Sequence, residues 1–159
     1  MNQVSKGKLY NNEEAVQKLA KYCAYQERCQ QEVDEKLQSW GFPANDRREL
    51  IVRLIEQGFL NEERFARAYV RGKFKHNQWG KIKIRQGLKQ RGISDQLIKM
   101  AFTEIDEREY ADTLKLLMKK KAKLIKEKNP FRKTQKLFMF IAGKGFEAEL
   151  FWEVKRDEL

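Results

Sequence analysis

The sequence contains few of the residues on which most metal and redox sites depend. Its 159 residues include two cysteines, one histidine and two prolines. Cys23, Cys29 and His76 are too few to supply the four protein ligands of a structural zinc site, and the cysteine spacing does not match a Cys-X-X-Cys redox pair. We therefore expect no metal and no other cofactor, and we expect both thiols to be reduced and buried.

Long apolar runs are also missing. No stretch approaches the roughly 20 apolar residues of a membrane-spanning helix, and the first residues lack the apolar core of a signal peptide. The final residues, Arg156 to Leu159, resemble an endoplasmic-reticulum retention tail, but that signal acts only on a protein of the secretory pathway, so we attribute it to chance. These absences predict a cytoplasmic protein with no membrane contact.

Two motifs typical of catalytic proteins are absent from the sequence. There is no P-loop pattern to cradle a nucleotide phosphate and no nucleophile elbow. His76 has no evident nucleophile or orienting partner in the sequence, so exposure or a polar contact is the simpler use for it. An enzyme is therefore the least favoured class.

Three glycines mark a threefold helical repeat. Gly41, Gly92 and Gly145 are 51 and 53 residues apart. The positions eight and four residues before each glycine are apolar in all three cases: Val33 and Leu37, Ile84 and Leu88, Leu137 and Ile141. A spacing of four residues corresponds to one helical turn, and a glycine just after the last apolar residue suits the left-handed cap that ends a helix.

These patterns predict an all-α fold, a tandem array of three three-helix repeats that forms an elongated, curved body. The composition agrees with this, because 41% of the residues are hydrophobic, 36% are charged and prolines are rare. The predicted organisation is an N-terminal tail followed by three repeats, with bounds at 1–11, 12–60, 61–105 and 106–159.

Helix limits follow from the apolar spacing and from likely breaks in the chain. In the first repeat we expect helices near residues 12–25, 27–39 and 46–57. The second helix of the second repeat should run from about Gly80 to Arg91, and the first helix of the third from about Glu107 to Lys128. Leucine spacing further predicts a longer turn after the glycine of the first repeat than after the other two.

Positive charge is concentrated in the second repeat. The net charge is +11, and residues 61–100 contain eleven basic and three acidic side chains. A run without any acidic residue extends from Arg71 to Arg91, interleaved with aromatic and amide side chains, which is typical of a polyanion-binding surface. The candidate binding residues are Arg71, Lys73, Lys75, Trp79, Lys81, Lys83, Arg85, Lys89 and Arg91.

Within this run, Lys81, Arg85 and Lys89 are four residues apart and should form a basic ridge along one helix. Such contacts would neutralise phosphates without reading base sequence, and they would weaken as salt is added. The alternative is an ordinary solvated helix face with Trp79 in the core. A secondary basic patch contains Lys119, Lys120, Lys121 and Lys123, for which a purely solubilising role is equally compatible.

Two stretches carry a resemblance to a known family. Gly58 to Val70 (GFLNEERFARAYV) and Gly80 to Ser94 (GKIKIRQGLKQRGIS) resemble the paired motifs G-[FY]-L-[DN]-[DE]-x-R-[FY]-A and G-x-x-x-I-x-x-x-L-x-x-[KR]-G-[IV] of the RecX regulatory proteins. The order and spacing of the two also match. The first repeat is similar more loosely, and the third mainly in its pattern.

The resemblance implies a non-enzymatic regulator of DNA repair, DNA recombination and the SOS response. A RecX protein would bind the RecA filament on single-stranded DNA, lie in its groove and mainly inhibit the recombinase, ATPase and coprotease activities. On this interpretation the partners are RecA and single-stranded DNA, and we expect the protein to be a monomer. The alternative is a stand-alone helical nucleic-acid-binding protein of helix-turn-helix type, against which the threefold repeat argues.

Overall fold

The computed structural model describes residues 7–158, and all of their regular structure is helical. In this part of the chain the helices are α1 Asn12–Tyr25, α2 Gln30–Ser39, α3 Ala44–Glu56, α4 Glu62–Lys75, α5 Lys81–Gln90, α6 Asp95–Ala101, α7 Glu107–Leu124, α8 Pro130–Gly143 and α9 Ala148–Glu158. A short 3₁₀ segment, Phe102–Glu104, follows α6. Helices pack mainly within successive groups of three, here called units 1, 2 and 3. The predicted all-α fold is confirmed.

A glycine in the left-handed region ends the second helix of every unit. The φ angles are +84° at Gly41, +76° at Gly92 and +95° at Gly145. In each turn the amide of the next residue donates to a carbonyl five residues earlier: Phe42 to Leu37 at 3.1 Å, Ile93 to Leu88 at 3.1 Å and Phe146 to Ile141 at 3.3 Å. This is the Schellman pattern, and the residue after the glycine is buried in all three turns, as the sequence predicts.

The turn after the glycine has the same length in every unit, so the predicted longer turn in unit 1 is wrong. The third helix begins three residues after the glycine in each case, at Ala44, Asp95 and Ala148. The sixth residue after the glycine is apolar and buried in units 2 and 3, as Ile98 and Phe151. In unit 1 this position is Arg47, which pairs with Asp34 at 2.8 Å. A charged residue at a core-facing position therefore misaligned the leucines.

Two predicted helix limits also differ from the structure. Helix α2 begins at Gln30 rather than near residue 27, because Cys29 is its N-cap and the Glu32 carboxylate accepts the Cys29 backbone N–H at 3.0 Å. Helix α7 ends at Leu124 rather than near Lys128. Ile125 then takes an extended conformation, with φ −78° and ψ 121°, and packs half-buried against the core.

The hydrophobic core is divided unequally among the units. Unit 1 has a core of its own, built around residues such as Leu19 and Leu54. Units 2 and 3 share a second core that contains both Ile84 and Leu114. Cys29 is the residue of unit 1 that enters this second core, and both cysteines are buried, as expected. Units 2 and 3 thus form one packed body, to which unit 1 is attached.

Units 2 and 3 meet through a close contact between two glycine backbones. The Gly80 N–H donates to the Lys144 carbonyl at 2.8 Å, and the Ile82 N–H donates to the Gly145 carbonyl at 3.0 Å. A Cβ atom on Gly80 would lie 2.3 Å from the carbonyl carbon and oxygen of Gly145. A Cβ on Gly145 would lie 2.3 Å from the Lys83 Cβ. Only glycine allows the two chains to approach this closely.

Tyr110 closes the same junction from the side of unit 3. Its ring is almost fully buried, and its hydroxyl accepts the Lys81 backbone N–H at 2.9 Å and donates to the Glu147 carboxylate. Burial, followed by the hydrogen bond to Glu147, raises the pKa of Tyr110 far above its usual range. The start of α5, which lacks a side-chain cap, is therefore satisfied by unit 3.

The junction between units 1 and 2 is more polar. Arg64 Nε donates to the Glu27 carboxylate at 2.7 Å, and the Gln30 backbone N–H donates to Glu62 at 3.3 Å. Cys29 supplies the apolar part of this contact. Unit 1 is thus held largely by charged and polar groups, two of which are partly open to solvent.

The segment before α1 contacts the glycine turn of unit 1. The Leu9 N–H donates to the Trp40 carbonyl at 2.9 Å, and a Cβ on Gly41 would lie 1.7 Å from the Gly7 carbonyl oxygen. The geometry repeats that of Gly80 on the turn of unit 3. Residues 1–6 of the predicted N-terminal tail lie outside the described residues, whereas Lys8 pairs with Asp46 at 2.6 Å.

Replacing the junction glycines by alanine should separate steric from backbone costs. G80A keeps a φ of −77° and adds only the clash, which should cost about 1–3 kcal/mol. G58A has a φ of +81° with no atom within 4 Å of the new Cβ, so it isolates the cost of the left-handed conformation, roughly 1–2 kcal/mol. G145A combines both terms and should be the least stable in urea denaturation followed by circular dichroism. A G80A protein as stable as wild type would contradict the close contact.

Removing the Tyr110 hydroxyl should destabilise the protein by about 1–2 kcal/mol at neutral pH, since Y110F leaves the Lys81 N–H and the Glu147 carboxylate without this partner. An unfolded tyrosine ionises near pH 10, whereas the folded residue stays protonated there, so wild-type stability falls as the pH rises above about 10. The difference between wild type and Y110F should therefore narrow at alkaline pH. Thermal melts of both proteins at pH 7.5 and 10.5 measure it, and a constant difference would argue against the buried hydroxyl.

Candidate nucleic-acid and protein-binding surface

Trp79 lies between two lysines on the surface of unit 2. The Nζ atoms of Lys73 and Lys83 are 4.8 Å and 4.5 Å from the centroid of its ring. The indole is half-buried and packs against the shared core. Among residues 7–158, neither lysine has a carboxylate within ion-pair distance. The two ammonium groups are thus available for an external anion.

The turn between α4 and α5 places Trp79 in this position. Gln78 has a φ of +55°, which is uncommon for a residue with a side chain. This conformation returns the chain toward α4, where the Trp79 N–H donates to the Lys73 carbonyl at 3.0 Å. The Gly80 contact with unit 3 fixes the far end of the turn. The tryptophan is therefore held by backbone hydrogen bonds on both sides.

Tyr69 and Arg91 extend the surface along α5. The Lys73 Nζ is 5.4 Å from the Tyr69 ring centroid, and the Arg91 guanidinium is 5.1 Å from the same ring. The tyrosine hydroxyl lies over Gly87, where a Cβ would come within 2.0 Å of it. Burial raises the pKa of Tyr69, and the Arg91 charge partly offsets this. We call Tyr69, Lys73, Trp79, Lys83 and Arg91 the central cationic surface.

Unit 3 adds a further cation beside this surface. The Lys144 Nζ donates to the Asn77 carbonyl at 2.7 Å. Its pKa is lowered, first by partial burial and second by the positive charge of Lys83. The surface is therefore completed across the junction of units 2 and 3.

The basic ridge predicted on α5 is largely occupied by contacts within the protein. Lys81 pairs with Glu107 of unit 3 and lies 4.7 Å from the Tyr110 ring centroid. Arg85 lies 5.1 Å from the Phe102 ring centroid, and Lys89 pairs with Asp95 at 3.0 Å, where both side chains are exposed. Neighbouring Ile82 is 44% exposed, a placement that its sequence left open. The ridge thus offers less free charge than the central cationic surface.

Arg71 and Lys75 lie toward the end of α4, away from a common partner. Arg71 shares the Glu104 carboxylate with Arg67, at 2.9 Å and 2.8 Å. Hydrogen bonds from Arg71 and then Arg67 lower the pKa of Glu104. Lys75 is exposed. The sequence-predicted residues therefore divide into two faces rather than forming one continuous patch.

The secondary basic patch lies on the last turns of α7. Lys119, Lys120 and Lys123 are exposed, while Lys121 is half-buried with its Nζ 4.8 Å from the Phe140 ring centroid. Three of the four lysines are thus solvated.

Sequence reasoning missed Tyr69 and Lys144 as parts of the surface. Tyr69 reads as an ordinary apolar residue of α4, and its role depends on Gly87 leaving room for the hydroxyl. Lys144 does carry a usable signal, since it directly precedes the repeat glycine of unit 3, a position occupied by Arg91 in unit 2. Aligning the repeats by their glycines would have selected both cations.

The residues between 7 and 158 contain no cluster of three or more histidine, cysteine or acidic side chains that could hold a metal ion. None of the helices in the same range is long and apolar enough to cross a bilayer.

Two family models match the chain. The model of the first three-helix domain of RecX matches residues 15–54, and that of the second three-helix domain matches residues 61–101. The first match lies within units 1 and the second within unit 2, and together they cover half of the chain.

Curated relatives carry the same family name. A regulatory protein RecX of Clostridium perfringens (strain 13 / Type A) is 29% identical over 120 residues, which are 74% of this chain and 56% of the relative. One from Bacillus mycoides (strain KBAB4) is 26% identical over 153 residues, or 94% of this chain and 57% of the relative. The chain spans about half the length of the curated relatives it matches.

Solved structures agree in fold. A crystal structure of a regulatory protein RecX aligns with a TM-score of 0.83 and 25% identity, over 92% of this chain and 73% of the other. The structure of RecX from Lactobacillus salivarius aligns with a TM-score of 0.81 and 23% identity, over 92% and 95% of the two chains. The motifs, the two domain models and the shared three-helix units lead to one conclusion: the chain belongs to the RecX family.

Proposed function

We propose that this protein is a non-enzymatic cytoplasmic regulator that binds the RecA filament on single-stranded DNA. It would mainly inhibit the recombinase, ATPase and coprotease activities of the filament and so act in DNA repair, recombination and the SOS response. Membership of the RecX family supports the class of function. The central cationic surface is the observation that supports contact with a polyanion.

The chemistry of this surface suits a nucleic-acid backbone or an acidic protein face. Lys73 and Lys83 present ammonium groups beside a tryptophan, and Arg91 adds a planar guanidinium beside Tyr69. Lysine and arginine neutralise phosphates, while aromatic rings accept bases or sugars by stacking. The lowered pKa of Lys144 reflects repulsion from Lys83, which an incoming anion would relieve.

The array supports binding to a repeating partner. Units 2 and 3 form one body through their shared core, and the secondary basic patch on α7 belongs to the same body. Several modest contacts on one rigid body gain affinity through effective concentration, since the first contact brings the others close to their targets. A monomer could thus contact successive filament subunits without forming a dimer.

ATP hydrolysis by RecA from the same organism tests the function directly. We expect the rate on single-stranded DNA to fall when the protein is added at well below one molecule per RecA, because a bound regulator affects the filament rather than one subunit. Unchanged hydrolysis together with tight, salt-sensitive DNA binding would instead favour the stand-alone nucleic-acid-binding protein.

Two charge reversals of equal size should show which face binds the polyanion. K73E/K83E removes the free cations beside Trp79, whereas R85E/K89E removes cations already engaged with Phe102 and Asp95. For single-stranded DNA, loss of two phosphate contacts should reduce the slope of log affinity against log salt by about 1.4. We expect this change for K73E/K83E and a smaller one for R85E/K89E.

Lys81 is left unchanged in both variants, because its reversal would also break the pair with Glu107 at the junction of units 2 and 3. Circular dichroism of both proteins should remain that of wild type. A larger loss of DNA binding in R85E/K89E would assign the contact to the α5 ridge instead.

A further inference from the structure

Unit 3 carries an aromatic groove that the function proposed above does not use. A cavity of about 430 Å³ between α8 and α9 is lined by Phe131, Gln135, Phe138, Met139 and Trp152. Three of these side chains are strongly exposed for their type: Phe131 is 71%, Met139 72% and Trp152 48% accessible. The only amide in this lining lies among apolar neighbours, so it has donor and acceptor atoms to offer an occupant.

Trp152 is held as a flat platform by two neighbouring rings. Phe138 stacks on it with ring centroids 5.6 Å apart and an angle of 18° between the planes. Phe151 meets it edge-on, with centroids 4.9 Å apart and an angle of 83°. Phe151 is fully buried, so the cluster is anchored in the core. The indole is thus fixed on one side while almost half of its surface is open to solvent.

The groove is specific to unit 3. Seven residues before the repeat glycine, unit 3 has Phe138 where units 2 and 1 have Arg85 and Asp34. Seven residues after the glycine, it has Trp152 where they have Lys99 and Arg48. The same two positions therefore carry charged side chains in the other units. Aromatic residues here are not required by the three-helix fold.

Charge decides among the possible occupants. Residues 126–136, which lead into and begin α8, contain five basic side chains and one acidic one, Glu127, which pairs with Lys136. Helix α8 contains no acidic residue, although α9 contributes exposed Glu149 and Glu153. A second copy of the chain would bring the two cationic helices together, which is unfavourable. A polyanion with flat apolar groups fits both the charge and the rings.

We propose that the aromatic groove of unit 3 binds unpaired bases of single-stranded DNA, with one base stacked on the open face of Trp152. Gln135 is placed in the groove to hydrogen-bond a base edge, and the basic residues at the start of α8 lie beside it to contact the backbone. Base–aromatic stacking tolerates any sequence, because every base has a π face. The proposal rests on the single-stranded DNA contact proposed above but assigns it a second, base-dependent site.

Two strands of equal charge test this site with the full chain. An oligo(dT) 20-mer offers bases, whereas an abasic 20-mer offers the same phosphates without them. Wild type should bind oligo(dT) more tightly, and W152A should lose this preference by about fivefold or more. W152F keeps an aromatic ring and should retain most of it. K73E/K83E should weaken binding to both strands alike, so failure of the phosphate contact and failure of the base contact are distinguishable.

A direct signal comes from tryptophan fluorescence in a W40F/W79F background. Oligo(dT) should quench Trp152, and the abasic strand should not. F131A provides a second variant at a side chain 71% exposed, where folding is not at risk, and it should also reduce the preference for bases. An unchanged preference in folded W152A and F131A overturns the proposal. Loss of RecA inhibition in those variants with DNA binding intact would also overturn it, and would assign the groove to a protein partner.

Discussion

The close backbone contact between Gly80 and Gly145 is the constraint on which most of the molecule depends. It joins the start of α5 to the turn between α8 and α9 by two hydrogen bonds, at 2.8 Å and 3.0 Å, and leaves no space for a Cβ on either glycine. Because the chains meet at this distance, Tyr110 can reach the Lys81 amide and the cores of units 2 and 3 merge. The relative orientation of the two units is thus set by main-chain atoms rather than by adaptable side chains.

The same junction organises the charge. It places Lys144 of unit 3 beside Lys83 of unit 2, and it fixes the turn that carries Trp79. Cations that face the junction or α6 are paired, as Lys81 is with Glu107, whereas those beside the tryptophan are not. A uniform basic run in the sequence therefore becomes two unequal faces. Net charge alone would not have distinguished them, because the pairing carboxylates come from other helices.

Much of the fold could be predicted from the sequence, because local signals dominate it. The glycines had to adopt positive φ, and Asn61 and Ser94 cap the helices that follow them by accepting backbone N–H groups. The errors arose where tertiary contacts override local pattern. Arg47 occupies a core-facing position because Asp34 compensates its charge. The free face around Trp79 depends on contacts between units, which periodicity does not encode.

The two junctions also differ in stiffness. Units 2 and 3 cannot separate without exposing a common core, whereas unit 1 keeps its own core and is attached through Cys29 and the pair of Arg64 with Glu27. Movement at the first junction therefore exposes little apolar surface, and most of the exchanged contacts are polar groups that water can satisfy. In mechanical terms, the described chain is a rigid two-unit arm with one compliant joint, and a load between its ends would bend it at Glu27 before it strained the glycine contact.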